Sequence, residues 1–259
     1  NGVGWGIFAI VSQSKNNIII RNCDVRGWNA GIGIIFNNGA TLSNNVVNSN
    51  NDVGISIWDS DHTTLIDNEA NGNKIGIQLW TDNEHTILER IEAKHNLLRG
   101  IDLQGNVDLT VVDSIVTGNE LDGIYLVGAA TFNNNKVCNN GDKDFNCHYS
   151  WNGEVYQNPN ASGTGNIFDE VHPCSDFYTD ELLWPVEEVN YDECPALGDL
   201  NFDGGWNILD IVQLASCILA NNCQDTWATE SAGDLNGDGL YNILDVVTLA
   251  NCILAENCG

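Results

Sequence analysis

The sequence predicts a mainly β protein that ends in a small α-helical, metal-binding module. Three observations support this: a repeat of about 23 residues runs from Gly6 to Asn140, its units alternate apolar and polar residues, and a duplicated acidic motif fills the last sixty residues. At 259 residues the chain can hold one large or two smaller domains, each with its own core. We therefore expect a repetitive β domain followed by a compact module.

The repeat units open with a glycine–isoleucine pair and continue as an apolar–polar alternation, as in the segment Gly54–Trp58 (GISIW). This alternation is typical of a strand with one buried face. The opening glycines are Gly6, Gly31, Gly54, Gly76, Gly100 and Gly123. Three further columns recur at the same period: Asn50, Asn73, Asn96 and Asn119; Asn22, Asn45 and Asn68; and Leu42, Leu65, Leu88 and Val111.

A single unit of this kind cannot bury its apolar face, whereas stacked units can, so the repeat predicts a solenoid. Asparagine amides are expected to bond the copies above and below them. The pattern resembles a right-handed parallel β-helix of the pectate-lyase-like kind, and the resemblance implies about six to seven rungs. We assign residues 1–140 to this β-helix, 141–197 to a last rung, cap and connector, and 198–259 to the module.

The middle segment departs from the period. Residues 163–171 look like part of one more rung, interrupted by a loop around 151–163, and the acidic, aromatic stretch that follows is expected to cap the open end. At the other end the repeat is already running by Gly6. We expect either that upstream rungs are missing from this chain or that another molecule covers the first rung.

The duplicated motif places oxygen-bearing side chains at positions 1, 3, 5, 9 and 12 of a loop with glycine at position 6, and the second copy follows at an offset of 35. This spacing is typical of an EF-hand-type calcium loop, in which alternate residues wrap a hard cation. The predicted ligands, with position 7 contributing its carbonyl and position 9 a side chain or bound water, are Asp199, Asn201, Asp203, Gly205, Asn207 and Asp210, then Asp234, Asn236, Asp238, Leu240, Asn242 and Asp245. We expect two Ca²⁺ ions.

The duplicated motif resembles a type I dockerin, a small all-α calcium-dependent docking module. The resemblance implies that loop positions 10 and 11 contact a protein partner; these are Ile208, Leu209, Ile243 and Leu244. Many dockerins carry Ser or Thr there, so the apolar pairs favour a partner other than a conventional cohesin. The partner is expected to be another copy of the chain or a cohesin-like domain, and core positions remain the alternative for these four residues.

Composition restricts partners and compartment. The chain has 9 basic and 36 acidic residues, a net charge of −27, and no basic residue after Lys143. Binding to nucleic acid or to an anionic membrane surface needs clustered positive charge, so both are expected to be poor partners, and no apolar run is long enough to span a bilayer. The nine cysteines predict an extracellular or cell-surface location.

Four disulfides are expected from the cysteines. The repeated frame CILAxNC predicts Cys217–Cys223 and Cys252–Cys258, and proximity in the chain favours Cys138–Cys147 and Cys174–Cys194, although sequence alone does not fix connectivity. Cys23 remains unpaired and is expected to be a buried core thiol.

A candidate ligand site consists of Trp58 and Trp80, which follow Phe36 at intervals of 22, with His62 and His85 nearby. The alternation places the tryptophans outward, where a polysaccharide or a protein could bind. The alternatives are aromatics that lie beneath a loop and histidines that are solvated turn residues.

Catalysis has less support. Asp102 is interpreted as a single outward carboxylate without a basic neighbour, and no Gly-His-Asp segment occurs. The chain is therefore expected to lack catalytic residues; if it is an enzyme, a polysaccharide lyase or glycoside hydrolase is expected.

Two functions fit these observations. The first is a secreted, non-catalytic, calcium-binding structural or assembly protein, in its sharpest form a head-to-tail filament whose module engages the next subunit. The alternative is a carbohydrate-binding or polysaccharide-degrading β-helix protein that its dockerin targets to a complex.

Overall fold

A computed structural model describes residues 7–81, 83–148, 150–151, 156–157, 159–168, 170–175, 182–184, 194, 196–201, 203–223, 232–255 and 257–258. The chain divides into two compact units, residues 1–192 and 193–259, which are described separately. Among the described residues no helix is both long and apolar enough to cross a membrane.

The first unit is a right-handed β-solenoid of about seven turns, as the repeat predicts. Its strands are β1 (Phe8–Gln13), β2 (Ile19–Arg21), β3 (Asp24–Arg26), β4 (Ala30–Ile35), β5 (Thr41–Ser43), β6 (Val46–Asn48), β7 (Val53–Trp58), β8 (Thr64–Ile66), β9 (Ile75–Trp80), β10 (Glu84–Glu89), β11 (Glu92–Lys94), β12 (Arg99–Val112), β13 (Ile115–Thr117), β14 (Ile124–Asn133), β15 (Lys136–Cys138), β16 (Phe145–His148), β17 (Ser150–Trp151), β18 (Tyr156–Gln157), β19 (Asn160–Ser162), β20 (Ile167–Phe168), β21 (Val171–His172), β22 (Cys174–Ser175) and β23 (Leu182–Trp184).

The strands of successive turns pair in parallel and form three faces. The first face runs β1, β4, β7, β9, β12, β14, β16 and β21. The second runs β2, β5, β8 and β10, and then the later halves of β12 and β14. The third contains the pair β3–β6 and the run β11, β13, β15 and β20. The pairing of β20 with β15 confirms the additional rung predicted after the loop.

The inward positions form one apolar core along the solenoid. Ile55, Ile77 and Ile101 lie in register on the first face and are fully buried. The predicted column of Leu42, Leu65, Leu88 and Val111 is in register on the second face, and all four are fully buried. Removing apolar surface from water stabilises a protein by roughly 25 cal/mol per Å². In this solenoid that stabilisation comes from contacts between neighbouring turns rather than from within any one turn.

Buried asparagines link successive turns. The backbone N–H of Asn50 donates to Asn73 Oδ1 at 2.9 Å, that of Asn73 to Asn96 Oδ1 at 2.9 Å, and that of Asn96 to Asn119 Oδ1 at 3.0 Å. The predicted bonding between copies is confirmed. The opening glycine lies against this ladder, since a Cβ at Gly54 would come within 2.7 Å of Asn73 Nδ2.

One member of the second asparagine column was assigned wrongly. Cys23, not Asn22, donates its backbone N–H to Asn45 Oδ1, at 3.1 Å, whereas Asn22 has a left-handed φ of 55° and donates to the Ser43 carbonyl. Cys23 is unpaired and only half-buried, and it packs against the core. In the first turn, the thiol of Cys23 therefore occupies the position that the amides of Asn45 and Asn68 occupy in the next two turns.

The two predicted disulfides of the middle region are paired wrongly, although every cysteine named for them is disulfide-bonded. The structure joins Cys147 to Cys174, 27 residues later. In a solenoid, residues about one turn apart are stacked, whereas Cys138 and Cys147 lie on different faces, on β15 of the third face and β16 of the first. Nearness along the chain was therefore the wrong criterion. The acidic cap predicted after residue 171 lies mostly outside the described residues.

The second unit contains two helices, α1 (Ile208–Ala220) and α2 (Ile243–Ala255). Helix α1 begins at an Asn207 cap whose side chain accepts from Leu209, while Asp210 accepts from the Asn207 backbone in return. The two helices contact each other around Leu214 and Leu249, which are fully buried. Disulfides Cys217–Cys223 and Cys252–Cys258 each close the end of one helix, as predicted.

Candidate functional site

Two neighbouring columns of outward side chains run along the first face of the solenoid; we call them together the outer face. In register from turn to turn, one column contains Ser56, Gln78, Asp102, Tyr125, Asn146 and His172. The other contains Ile35, Trp58, Trp80, Gln104, Val127 and His148. On each strand the two columns are two residues apart, as Ser56 and Trp58 are on β7. Side chains two residues apart on a strand lie on the same side of the sheet.

Arg99 organises the charges of the outer face. Its Nη1 lies 3.2 Å from Asp102 Oδ2, and its Nε lies 2.9 Å from Asp122 Oδ2. Both carboxylates are buried, with side chains 1% and 4% exposed. Burial works against the charged form of Arg99, but the two carboxylates outweigh it and raise the pKa of the guanidinium. One cation is thus held between two anions.

Amide side chains complete the surroundings of the two carboxylates. Gln104 Nε2 donates to Asp102 Oδ1 at 2.8 Å, and Asn146 Nδ2 donates to Asp122 Oδ1 at 2.7 Å. This arrangement corrects the interpretation of Asp102 as an outward carboxylate with no basic neighbour. The residue is on the outward side, but Arg99 covers it from the start of the same strand, three positions earlier.

A row of rings continues from Arg99 across the next turns. The ring centroids of Tyr125 and His148 are 5.0 Å apart, and those of His148 and His172 are 5.1 Å apart and nearly parallel. Burial raises the pKa of the Tyr125 hydroxyl; Arg99 opposes this shift, and the charges of Asp102 and Asp122 add to it. Burial and the neighbouring His172 lower the pKa of His148. Near neutral pH the row therefore presents a phenol beside an uncharged imidazole.

Sequence reasoning missed this cluster for a physical reason. Tyr125 follows Asp102 at the regular interval of 23, but Asn146 and His172 come 21 and 26 residues later because the last turns differ in length. A fixed period does not align them. The available signal was Arg99, a basic residue immediately before the opening Gly100 in a chain with few cations.

The predicted aromatic and histidine pairs are each brought together. Trp58 and Trp80 have ring centroids 5.5 Å apart, and His62 and His85 stack at 4.7 Å. The tryptophans belong to the outer face, whereas the histidines follow the next corner of the chain, each with a left-handed φ. Phe36 does not join the tryptophans, since Ile35 is the residue in register with Trp58.

The first acidic loop of the second unit is already folded around its carboxylates. Asp210 Oδ1 accepts the backbone N–H of Leu200 at 2.9 Å and of Asn201 at 3.2 Å. Asp199 Oδ2 accepts from Gly204 at 3.0 Å, the glycine having a left-handed φ of 80°. The second loop repeats these bonds, for example from Asn236 to Asp245 Oδ1 at 3.3 Å and from Gly239 to Asp234 Oδ2 at 2.8 Å.

The donor set of both loops fits a calcium ion. Each loop carries three carboxylates, no Lys or Arg follows Lys143, and Asp210 and Asp245 are fully buried. Burial raises the pKa of Asp245; backbone hydrogen bonds from Asn242 and Asn236 oppose this shift, and the charges of Asp234 and Asp238 add to it. Three carboxylates in one short loop, one of them fully buried and none with a basic residue in the sequence of the module, favour a divalent cation with oxygen ligands.

The residues predicted as an interface are exposed. The exposed fractions are 64% for Ile208, 58% for Leu209, 66% for Ile243 and 55% for Leu244. Val212 and Val247, one helical turn further on, are also about half exposed, at 54% and 49%. These exposures contradict the alternative that the four residues belong to a core.

Sequence comparison matches both units to known families. A family described as "Right handed beta helix region" matches residues 6–162, and one described as "Dockerin type I domain" matches residues 197–254. No curated protein sequence matches the chain.

Solved structures with a similar fold include three alginate-related proteins. The A-module of the mannuronan C-5 epimerase AlgE4 from Azotobacter vinelandii is 17% identical, with a TM-score of 0.53, over 60% of this chain and 46% of that one. The periplasmic alginate epimerase AlgG is 17% identical, with a TM-score of 0.53, over 61% and 42%. The alginate lyase from Paenibacillus sp. str. FPU-7 is 14% identical, with a TM-score of 0.54, over 71% and 75%. The matched region thus spans less than half of either epimerase chain, and at these identities the likeness concerns the fold.

Proposed function

The chain belongs to the right-handed β-helix family and carries a type I dockerin domain, and from this premise we propose that it is an extracellular, polysaccharide-binding protein that its dockerin attaches to a protein partner. The disulfides of both units agree with an oxidising, extracellular compartment. The solved structures of similar fold that are named for alginate support a polysaccharide as the ligand class.

The observation that carries this proposal is the cluster of Arg99, Asp102, Asp122, Tyr125 and His148 on the outer face. Buried, paired charges with an aromatic ring and amides beside them are expensive to build, and such perturbed groups concentrate at functional sites. Sugar hydroxyls both donate and accept hydrogen bonds, and the cluster offers partners for both roles. A neutral His148, whose ring centroid lies 5.0 Å from that of Tyr125, also provides a proton acceptor near a residue with a phenolic proton, as acid–base catalysis on a bound sugar requires.

The dockerin would supply attachment and depend on calcium. We assign one ion to each loop, held by Asp199, Asn201, Asp203 and Asp210 in the first and by Asp234, Asn236, Asp238 and Asp245 in the second, with the carbonyls of Gly205 and Leu240. Asn207 Oδ1 and Asn242 Oδ1 already accept from the helix backbone at 2.8 Å. Both side chains cap a helix, so a bound water is the better ligand at position 9.

The exposed pairs Ile208–Leu209 and Ile243–Leu244 would contact the partner. Each pair lies at the start of a helix beside its calcium loop, so loss of the ion should also remove the docking surface. A cohesin-like domain is the partner class that the dockerin family implies. The head-to-tail filament stays a prediction, which sedimentation of the calcium-loaded protein at high concentration would test.

A binding and activity screen tests the polysaccharide site. Tyr125→Phe and His148→Gln should weaken retention of the protein in gels cast with the polysaccharide that the unaltered chain binds. Asp113→Asn is the matched control, because it alters an exposed residue with a left-handed φ at a distant corner. The same samples are assayed for unsaturated products, new reducing ends and changed uronate stereochemistry. Retention of all three variants equal to that of the unaltered protein would contradict the assignment of the site.

A further inference from the structure

The two tryptophans of the outer face form a continuous aromatic surface. Trp58 and Trp80 occupy the same position in adjacent turns, with ring planes inclined by 42°. Their strand neighbours Ile57 and Leu79 are fully buried, so the indoles point away from the core. Trp80 is 41% exposed, and Trp58 is half-buried. An indole on a strand with its ring at the surface costs little entropy to keep ordered and presents a flat apolar face.

This aromatic surface is continuous with the polar cluster. Trp80 is in register with Gln104, whose amide donates to Asp102, and the same column ends at His148. Adjacent strands lie about 4.8 Å apart, so the four steps from Trp58 to His148 cover roughly 19 Å. An oligosaccharide that follows the solenoid axis would meet apolar rings first and hydrogen-bonding groups afterwards.

The charges of the outer face select between classes of polysaccharide. The guanidinium of Arg99 is shared by two carboxylates, those of Asp102 and Asp122. These three side chains together carry an excess of one negative charge. Among the residues that the structure describes, at least six of the nine basic residues pair with carboxylates, and the net charge of the chain is −27. A polyuronate, with one carboxylate per sugar, would be repelled by this field, whereas an uncharged sugar would not.

Uncharged sugars also fit the side chains that are present. Their apolar C–H faces stack on indole rings, and their hydroxyls can bond the amides of Gln78, Gln104 and Asn146, which are half-buried on the outer face. A site with a few placed polar groups beside an aromatic surface is the usual composition of a small-ligand site.

We propose that Trp58 and Trp80 are the stacking platform of the polysaccharide site and that its ligand is a neutral polysaccharide. The inference rests on the proposed function and narrows it, since the proteins of similar fold are named for alginate, a charged polymer. The platform gives the ligand its affinity, and the cluster from Gln104 to His148 gives it orientation.

Affinity electrophoresis of the calcium-loaded full chain tests the proposal with two groups of polymers at physiological salt. Mannan, glucomannan and mixed-linkage β-glucan form the neutral group, and alginate and polygalacturonate the charged group. Retention is expected in at least one neutral gel and in neither charged gel. Trp80→Ala should weaken it by about tenfold, which corresponds to about 1.4 kcal/mol, and Trp80→Phe should retain most of it. Trp28→Ala, at an exposed tryptophan outside the platform, should change nothing.

The outcomes separate the inference from the function on which it rests. Retention by alginate or polygalacturonate that Trp80→Ala leaves unchanged would overturn the inference and keep the proposed function. Retention in no gel of either group would overturn both. Because Trp58 is half-buried, Trp58→Ala can disturb folding, and it is used only if its circular dichroism spectrum and melting temperature match those of the unaltered chain. If they do not match, the result is decided by Trp80→Ala alone.

Discussion

The guanidinium of Arg99 lies over the ring of Tyr125, with its central carbon 3.6 Å from the ring centroid. Two residues from adjacent turns are thereby joined face to face, a cation on an aromatic surface. The contact fixes the position of the guanidinium, because its edge is already engaged by Asp102 and Asp122. Arg99 therefore links the charge network of the outer face to its row of rings.

Replacing Arg99 with methionine should destabilise the solenoid by roughly 3 kcal/mol, the usual cost of removing one partner of a buried ion pair. The loss arises mainly from Asp102 and Asp122, which would remain buried and unpaired. Unfolding by urea, followed through the β-sheet circular dichroism signal, measures the change. The triple variant Arg99→Met, Asp102→Asn, Asp122→Asn should recover most of the stability.

A control for this prediction is Arg26→Met. Arg26 pairs with Asp24 at the surface, where both side chains are more than half exposed. Exposed pairs contribute about 0–1 kcal/mol, so this variant should unfold close to the unaltered chain. Equal losses for the two arginine variants would mean that burial of the Arg99 network contributes nothing.

His148 should make the stability of the solenoid depend on pH in a predictable direction. Its pKa in the folded protein lies below the ordinary value of 6.5, first because of burial and then because of His172. Above 6.5 the imidazole is neutral in both states and adds no pH dependence. As pH falls through 6.5 toward the folded pKa, the unfolded chain binds the proton first, so stability is lost.

The measurement compares the unaltered chain with His148→Gln at about pH 7.5 and pH 5.5, values on either side of the ordinary histidine pKa. Other titrating groups are common to both proteins, so the difference between them reports His148. The unaltered chain should lose more stability on acidification than the variant does. An equal loss, or a smaller one, would show that the pKa of this histidine is not lowered by folding.

The regular part of the fold was predictable because each turn obeys the same physical requirements. Leu42, Leu65 and Leu88 must face the core, and Asn73 must satisfy buried backbone groups, so both recur at a fixed interval that the sequence displays. The dockerin domain was recognisable for a related reason. Coordination of a hard cation fixes the order of the oxygen donors along the chain.

The outer face could not be predicted in the same way. Outward residues have no common packing partner, so nothing forces Asp102, Tyr125 and His148 to resemble one another. Their relation appears only when the strands are aligned, and the changes in turn length move that alignment by several residues. The Cys147–Cys174 bond illustrates the same difficulty, since it follows the three-dimensional stacking of turns rather than distance along the chain.

Replacing Asn73 with alanine should destabilise the solenoid by about 3 kcal/mol, because unpaired buried polar groups cost about 1–3 kcal/mol each. Asn73 Oδ1 accepts the Asn50 backbone N–H at 2.9 Å, and its Nδ2 donates to the Val47 carbonyl at 2.9 Å. Both backbone groups would lose that partner. Thermal and urea unfolding measure the effect, with Asn51→Ala at an exposed corner as the control. If Asn73→Ala lowered the free energy of unfolding by less than Asn51→Ala does, the bonds between stacked asparagines would not be a source of stability.

Calcium removal should unfold the second unit and leave the first intact. The carboxylates of each loop, such as Asp199, Asp203 and Asp210, repel one another without a cation, and the small core around Leu214 and Leu249 has little to offset this. An ion that binds only the folded state stabilises it by about 2.7 kcal/mol at a hundredfold excess over Kd. Chelation should therefore abolish the helical circular dichroism signal and preserve the β-sheet signal.

Calorimetric titration of the calcium-free protein with Ca²⁺ measures the number of ions that bind. The unaltered chain should bind two ions, and Asp203→Ala should bind one with the affinity of the intact second loop, since a single missing carboxylate affects only its own loop. Asp238→Ala should give the converse, and Glu84→Gln, an exposed carboxylate of the solenoid, should still bind two. Because the exposed Ile208 and Ile243 begin the helices that the loops fix, each loop variant should also lose one of the two apolar surfaces. Binding of two ions by both loop variants would show that the acidic loops are not the calcium sites.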